Sequence, residues 1–384
     1  MTQAVRQFPS MTARYTDVLF LLGLIGVAWY NRRLWQRDVA FLKQKTTLAS
    51  LPPLEEWSRL PKVSVLVAAW NEEAMIERHI QSFTTLRYPH KELVLCAGGE
   101  DQTYAMAARW VGNEVIVLVQ QPGEGKQRSL RRCLDVASGT IIFLTDADCL
   151  LDDEAFERTL YPVASGRERA CTGSLRPYSQ MTSAPFVVAQ AAPKLYSTLH
   201  GPPYAPGLLG CNCAIERELL ESCQGLDAPA PTGTDYVLAK MIGQTGTQIR
   251  HVPESRVATE YPTTVQGYIR QQRRWLRNVA LYGRRFGARD EVRASLFTSS
   301  VGLGMLVLPL SAVVAGRVSL MIWLVLLLQA FLSRLRYLRF AARIMGFRTS
   351  WRQVAVQIPA VLLDFVAWSR PLLDYIVRDS EKVW

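Results

Sequence analysis

Apolar and polar positions follow two different periods in the middle of this chain, and long uncharged runs occupy both ends. VSVLVAAW (63–70), ELVLCA (92–97) and EVIVLVQ (114–120) are short, apolar and rich in branched side chains, which predicts buried strands. Between the first two, NEEAMIERHIQSF (71–83) carries Met75, Ile76, His79, Ile80 and Phe83 at helical spacing. RSLRRCLDVA (128–137) predicts another helix and TIIFLTDAD (140–148) a fourth strand. Strand and helix in alternation predict an α/β domain with a parallel-rich sheet wrapped by helices. Ligands of such sheets sit at the carboxyl ends of the strands, so Asn71, Glu72, Glu100, Asp101, Asp146 and Asp148 are the first candidates.

The uncharged ends follow a different logic. Val18 to Tyr30 carries no charge, and Arg32, Arg33, Arg37, Lys43 and Lys45 follow it. A basic cluster after the apolar run predicts a signal anchor, with the next domain in the cytosol. Ala294 to Gly316 and Val318 to Ser333 are uncharged and separated only by Arg317, which predicts a membrane hairpin with a very short outer turn. Arg334, Arg336, Arg339, Arg343 and Arg348 then return the chain to the inner face. Val354 to Trp368 includes Pro359 and Asp364; it is read as a further span, with an interfacial segment as the alternative. The expected division is an anchor and basic linker over 1–50, a cytosolic domain over 51–285 and a membrane region of two or three spans over 286–384, with the anchor and spans in the cell inner membrane.

Composition narrows the partners. The 384 residues are 49% hydrophobic and 20% charged, which excludes a disordered chain. The net charge of +11 would suit nucleic acid, a membrane surface or a phosphorylated substrate. Much of the excess flanks the apolar runs, so membrane lipids are the expected partner and nucleic acid is not. Seven scattered cysteines with no CxxC pair fit a reduced compartment. Cys211 and Cys213 have no His or Cys partner at zinc spacing and are read as free thiols.

Four stretches carry chemistry. Asp146 and Asp148 in TDAD stand two residues apart at a strand end, where they either close a turn or face Mg²⁺ or Mn²⁺ together with substrate phosphates. QPGEGKQ (121–127) lacks the glycine and Ser/Thr of a P-loop, which leaves a turn with a usefully placed Lys126. Asp235 opens the helix after GTD, either as an N-terminal charge or as an active-site base. RQQRRWLRN (270–278) puts Arg270, Arg273, Arg274 and Arg277 on one helical stripe and Gln271, Arg274, Trp275 and Asn278 on the next. A lipid-surface helix accounts for the first stripe better than for the second.

VAAWNEE, TDAD, GTD and QQRRW, in this order between apolar runs, resemble the membrane-bound inverting glycosyltransferases of family 2, the group of cellulose, chitin and hyaluronan synthases. The layout also resembles ceramide glucosyltransferase. GCNCAIERELLESCQGLD (210–227) resembles the family's acceptor-side loop, and HVPESRVATEYPTT (251–264) the segment before its QxxRW helix. The resemblance implies a GT-A-like nucleotide-diphospho-sugar transferase domain flanked by transmembrane helices. It implies that Asp146 touches the nucleotide, Asp148 the metal and Lys126 the phosphate, with Asn71, Glu72 and Asp101 on the donor side. Asp235 would be the base, Gln271, Arg274 and Trp275 would border donor diphosphate and acceptor, and Gly210, Cys211 and Asn212 would line the acceptor side. The expected reaction moves a sugar, from a UDP-sugar by preference, to a lipid or a growing polysaccharide. A polymer product would call for a second copy or an export partner to complete a channel. Two departures stand out: Ala68 replaces the family's first-strand proline, and Cys96-Ala97-Gly98-Gly99 replaces the acidic end of its second strand. The alternative reading is a transferase-like membrane scaffold without activity.

Overall fold

The structure is a computed structural model, and it describes residues 11–45, 51–227, 230 and 232–377. The boundary expected at residue 50 lies outside the described residues. A long helix, α1 (Met11–Lys45), precedes the sheet-bearing domain. There, β1 (Val63–Trp70), α2 (Ile76–Thr84), β2 (Lys91–Gly98), α3 (Thr103–Ala108), β3 (Val115–Val119), α4 (Gly125–Val136) and β4 (Ile141–Leu144) realise the expected alternation. The chain continues through β5 (Cys149–Leu150), α5 (Asp153–Ala164), β6 (Ala170–Pro177), α6 (Pro185–Leu199), β7 (Tyr204–Ala205), β8 (Cys213–Glu216), α7 (Arg217–Ser222), α8 (Thr234–Gln244) and β9 (Ile249–Thr259). It ends in α9 (Val265–Arg285), α10 (Arg289–Val307), α11 (Ala312–Ala315), α12 (Arg317–Met345), α13 (Trp351–Ala355) and α14 (Gln357–Val377).

The strands form one sheet in the order β3-β2-β1-β4-β8-β6-β9-β5, with β7 beside β9. The first four strands are parallel, and β8 then joins both β4 and β6 in antiparallel fashion. Side chains alternate across a strand, so each face needs its own cover. Val63, Val65, Val67 and Phe143 pack with Phe83, Tyr88 and Phe156 on one face. Leu66, Val94, Ile142 and Leu144 pack with Leu130, Leu134, Leu219 and Leu238 on the other.

Three expected boundaries move. The helix expected from residue 71 begins at Ile76, because Asn71 has φ +58 and turns the chain first. The strand expected through Asp148 stops at Leu144, and Thr145–Asp148 form a turn closed by the Cys149 N–H on the Asp146 carbonyl. The first arm of the expected hairpin breaks after Val307, next to Pro309, whose ring cannot continue a helix. Gly316, at φ +62, makes the sharp turn into α12.

The terminal helices pack together. α1 and α12 run in the same direction, since Asp17 meets Arg317, Asn31 meets Gln329 and Asp38 meets Arg336. Among the described residues, α12 alone is long and apolar enough to cross a membrane. Val313 and Val314, at the turn before it, are 92% and 94% exposed. Asp364 of α14 is buried and accepts hydrogen bonds from Arg334 of α12 and the Tyr268 hydroxyl of α9. The charge inside the last apolar stretch is therefore neutralised by the protein itself.

Candidate active site

The cleft gathers at the carboxyl ends of β1, β2, β3 and β4. At the end of β1, the Asn71 Oδ1 accepts the Glu100 N–H at 2.7 Å, tying the first strand's loop to the second's. The Asp101 carboxylate accepts from the backbone N–H groups of Thr103 and Glu73, at 3.0 and 3.1 Å. Burial is the largest single influence and raises its pKa, but the hydrogen bonds from the Thr103 side chain and the Thr103 and Glu73 N–H groups together outweigh it and hold the pKa low. Asp101 is thus engaged in holding this loop. Gly98 has no room for a side chain, because a Cβ there would lie 2.4 Å from the Gln120 carbonyl. The glycines after β2 therefore answer to tight packing at the strand end.

Beside this junction lies a cavity of about 360 Å³ lined by Ala68, Trp70, Gln120, Gln121, Gly123 and Lys126, with Gly125 at the start of α4. Gln120 is buried and its Oε1 has no hydrogen-bond partner. Lys126 reaches from α4 to pair with Asp146. Burial alone would lower the Lys126 pKa, but the Asp146 charge and hydrogen bond outweigh it and the ammonium is retained.

The acids of the turn after β4 are unevenly matched. Asp148 is pushed up to about 6, first by burial and then by the charge of Asp146, with Glu260 adding to the rise. Glu72 is pushed up to about 7, first by burial and then by Asp148, Asp146 and Glu260. Lys126 faces this group as the cationic partner of Asp146. Such an excess of carboxylate suits a hard divalent cation, which commonly takes one or two carboxylates and completes its shell with phosphate and water. Among the described residues no three His, Cys, Asp or Glu side chains form a ready metal cage, so the substrate would have to complete the set.

The opposite wall comes from α6, α8 and α9. Gly233 at φ +68 turns the chain into α8, and its tight turn rests on Asn278 of α9, which accepts from the Thr232 hydroxyl at 3.0 Å. Asp235 follows, half-buried, with one oxygen accepting the Tyr236 N–H at 2.9 Å. Gly210 fits against it: a Cβ at Gly210 would lie 3.0 Å from the Asp235 Cβ. Arg274 is exposed, Gln271 is half-buried, and Trp275 is 37% exposed.

Lys194 of α6 belongs to this wall, and the sequence reading missed it. Its ammonium lies 4.5 Å from the Trp275 ring centre and 5.9 Å from that of Tyr261. Burial lowers its pKa, with Cys211, Cys149 and Asp235 acting in the opposite direction. It is the sole charged residue of α6, and that isolation in an apolar helix was the available signal. Glu260, which adds to the acidic cluster, was missed as well; it follows directly on β9.

The predicted set divides. Asp146, Asp148, Glu72 and Lys126 share one electrostatic neighbourhood, which the Asp235 charge also reaches through Lys126. Trp275 joins it through Lys194. Cys211 is buried near the same lysines. Asn212 points elsewhere: its amide donates to the Ser174 carbonyl and the Ser255 hydroxyl and accepts from the Thr159 hydroxyl, all inside the core. That leaves its side chain no free polar group for an acceptor.

Comparison with known proteins agrees with this geometry. The family described as Glycosyltransferase like family 2 matches residues 61–278, and that described as Glycosyl transferase family 21 matches residues 204–378. The poly-beta-1,6-N-acetyl-D-glucosamine synthase of Staphylococcus epidermidis is 28% identical over 117 residues, 30% of this chain and 28% of that protein. The probable glycosyltransferase YdaM of Bacillus subtilis is 26% identical over 243 residues, 58% of this chain and 56% of that protein. The chain thus spans from about a quarter to about half the length of these relatives. The mannosyltransferase PcManGT from Pyrobaculum calidifontis, solved with GDP-Man and Mn2+, shares the fold with a TM-score of 0.50 at 16% identity, over 95% of this chain and 100% of that one. With more than half of its length, including TDAD, GTD and QQRRW, inside the matched region, the chain belongs to the family 2 glycosyltransferases.

Proposed function

We propose that this chain is a membrane-embedded inverting glycosyltransferase that moves a sugar from a nucleotide-diphosphate sugar to an acceptor arriving from the lipid interface. The observation that carries this reading is the pairing of two walls. Carboxylates and Lys126 gather at the strand ends, while Lys194 and Trp275 stand on α6 and α9, which pack against α12 and α14, and Asp235 stands on α8 beside α9.

In this reading the donor's nucleotide lies along the cavity beside Trp70 and Gln120, and its diphosphate faces Lys126 and Arg274. A planar guanidinium suits a phosphate because it can donate two parallel hydrogen bonds. Asp148, aided by Asp146 and Glu72, would hold Mg²⁺ or Mn²⁺; when bound, the cation supplies positive charge against the departing diphosphate. Asp235 takes the proton from the acceptor hydroxyl as that oxygen attacks the anomeric carbon, and the single displacement inverts the configuration. Trp275 gives the acceptor an apolar wall. Gly210 keeps the approach to Asp235 open, because any side chain there would crowd the base. α12 and the exposed apolar turn before it support the membrane placement.

A growing polysaccharide is the second acceptor, favoured by the likeness to the poly-N-acetylglucosamine synthase. The purified chain, offered a panel of radiolabelled nucleotide sugars with Mn²⁺ and membrane lipid extract, separates these readings. A single labelled glycolipid supports the lipid acceptor, and a ladder of polymer supports the second. Absence of nucleotide release with every donor sinks both and favours the inactive scaffold.

A further inference from the structure

Five arginines follow the apolar part of α12, and they do two different things. Arg334 and Arg336 are buried and paired, with Asp364 and Asp38 respectively. Arg339, Arg343 and Arg348 are exposed, and among the described residues none of the three pairs with a carboxylate. They surround a cavity of about 430 Å³, whose other walls are Trp35 of α1, Ala342, Phe347 and Thr349. The Arg339 guanidinium lies 5.7 Å from the Trp35 ring centre. The turn at Gly346, with φ +71, folds the chain back so that Arg348 joins the two helical arginines.

Depth along the helix identifies the ligand. At 1.5 Å per residue, Arg339 stands about 33 Å beyond Arg317, while the hydrocarbon layer is about 30 Å thick. A helix that begins at the outer face with Arg317 therefore brings Arg339 to the level of the inner phosphates. Three unpaired guanidiniums match a phosphodiester, and the Trp35 and Phe347 rings suit the glycerol and upper acyl region beside it. We propose that this cavity is a binding site for the phosphate of an anionic phospholipid of the inner leaflet. Basic pockets at this depth between helices are a recurrent headgroup site. The proposal rests on the membrane reading above, but it concerns neither donor nor acceptor.

The test uses the full chain in nanodiscs carrying a photoreactive phosphatidylglycerol or a photoreactive phosphatidylcholine, with the labelled residues mapped by mass spectrometry. Phosphatidylglycerol should label residues 335–349 in preference to phosphatidylcholine. In the double variant Arg339→Gln/Arg343→Gln, that preference should fall on the order of thirtyfold, the product of two lost headgroup contacts. The variant Arg109→Gln/Arg167→Gln removes the same charge from the catalytic domain and should leave the labelling unchanged. Equal labelling by both lipids in a chain that does enter nanodiscs overturns this site while the membrane reading stands. A chain that fails to enter neutral nanodiscs overturns the membrane reading and this site with it. Millimolar glycerol 3-phosphate should not displace the lipid; full displacement would mark a soluble-phosphate site and overturn the lipid assignment.

Discussion

Two sets of charges lie on opposite sides of α6, and only one of them is matched. Toward the terminal helices, Arg334 donates to the Ala189 carbonyl and to Asp364, while Arg336 donates to Tyr196 at 2.7 Å and to Asp38 at 2.8 Å. Toward the cleft, Lys194 meets only aromatic faces at close range among the described residues, and Glu72 and Asp148 repel each other. Ala189 and Tyr196 are seven residues apart and share a face of the helix, whereas Lys194 falls on roughly the other side. Matched buried charges fix the position of α6. Unmatched ones in the cleft await charge that a substrate brings, because a buried ion without a partner is costly. The difference separates holding from binding within one helix and its neighbours.

The sharpest way to break this comparison is at the base. Asp235→Asn should lower sugar transfer by about 10²–10⁴-fold, with donor binding and melting temperature preserved. Retained turnover in the purified variant would remove Asp235 from its role. Next, Arg274→Ala should cost roughly 10²–10³ in transfer rate, as loss of a donor to developing charge does, and Arg277→Ala less than about tenfold. Equal losses would mean that the two stripes of α9 do not differ in function.

On the holding side, Asp364→Ala leaves Arg334 buried without its partner, at a cost of about 3–5 kcal/mol. Thermal melting in detergent should drop accordingly, and Arg334→Met/Asp364→Leu should recover much of the loss. If the double change is as damaging as the single one, the pair is more than a clamp.

The smallest expected effect is on pH dependence. Glu72 and Asp148 titrate near 7 and 6 in the folded chain, above their ordinary values of 4.5 and 3.8. The folded state therefore keeps protons that the unfolded chain has already released. Without metal, stability should fall as pH rises from about 4 toward 7 and level off beyond. Mn²⁺ should offset that fall at pH 7.5 more than at pH 5, and Glu72→Gln should flatten the slope. A melting profile that rises across this window would contradict the unmatched acidic cluster.

Legibility in the sequence tracked the range of the interactions. The four parallel strands were readable because each is a contiguous apolar run with local punctuation. The strand leading into TDAD was drawn too long, since nothing local marks the point where β4 loses its partner and the turn begins. Lys194 escaped because it sits in no local motif, and Glu260 because nothing within HVPESRVATEYPTT singles it out; each acquires meaning from residues more than eighty positions away. Asn212 was drawn to the acceptor side with its motif, although its amide serves the interior.

The sequence alone determined the first four strands and the helices between them, the acidic turn, the start of the helix that carries Asp235 and the amphipathic QQRRW helix, because these depend on period, spacing and residue type over short stretches. Tertiary structure decided which charges are spent on one another. Asp364 and Asp38 look in the sequence like acids misplaced among apolar residues, yet they are clamped by Arg334 and Arg336. Asp148 and Glu72 stand in polar motifs and Lys194 in an apolar helix, and all three are without such clamps among the described residues. Pairing between distant segments depends on how helices cross and how far side chains reach, and that is settled only when the core has packed.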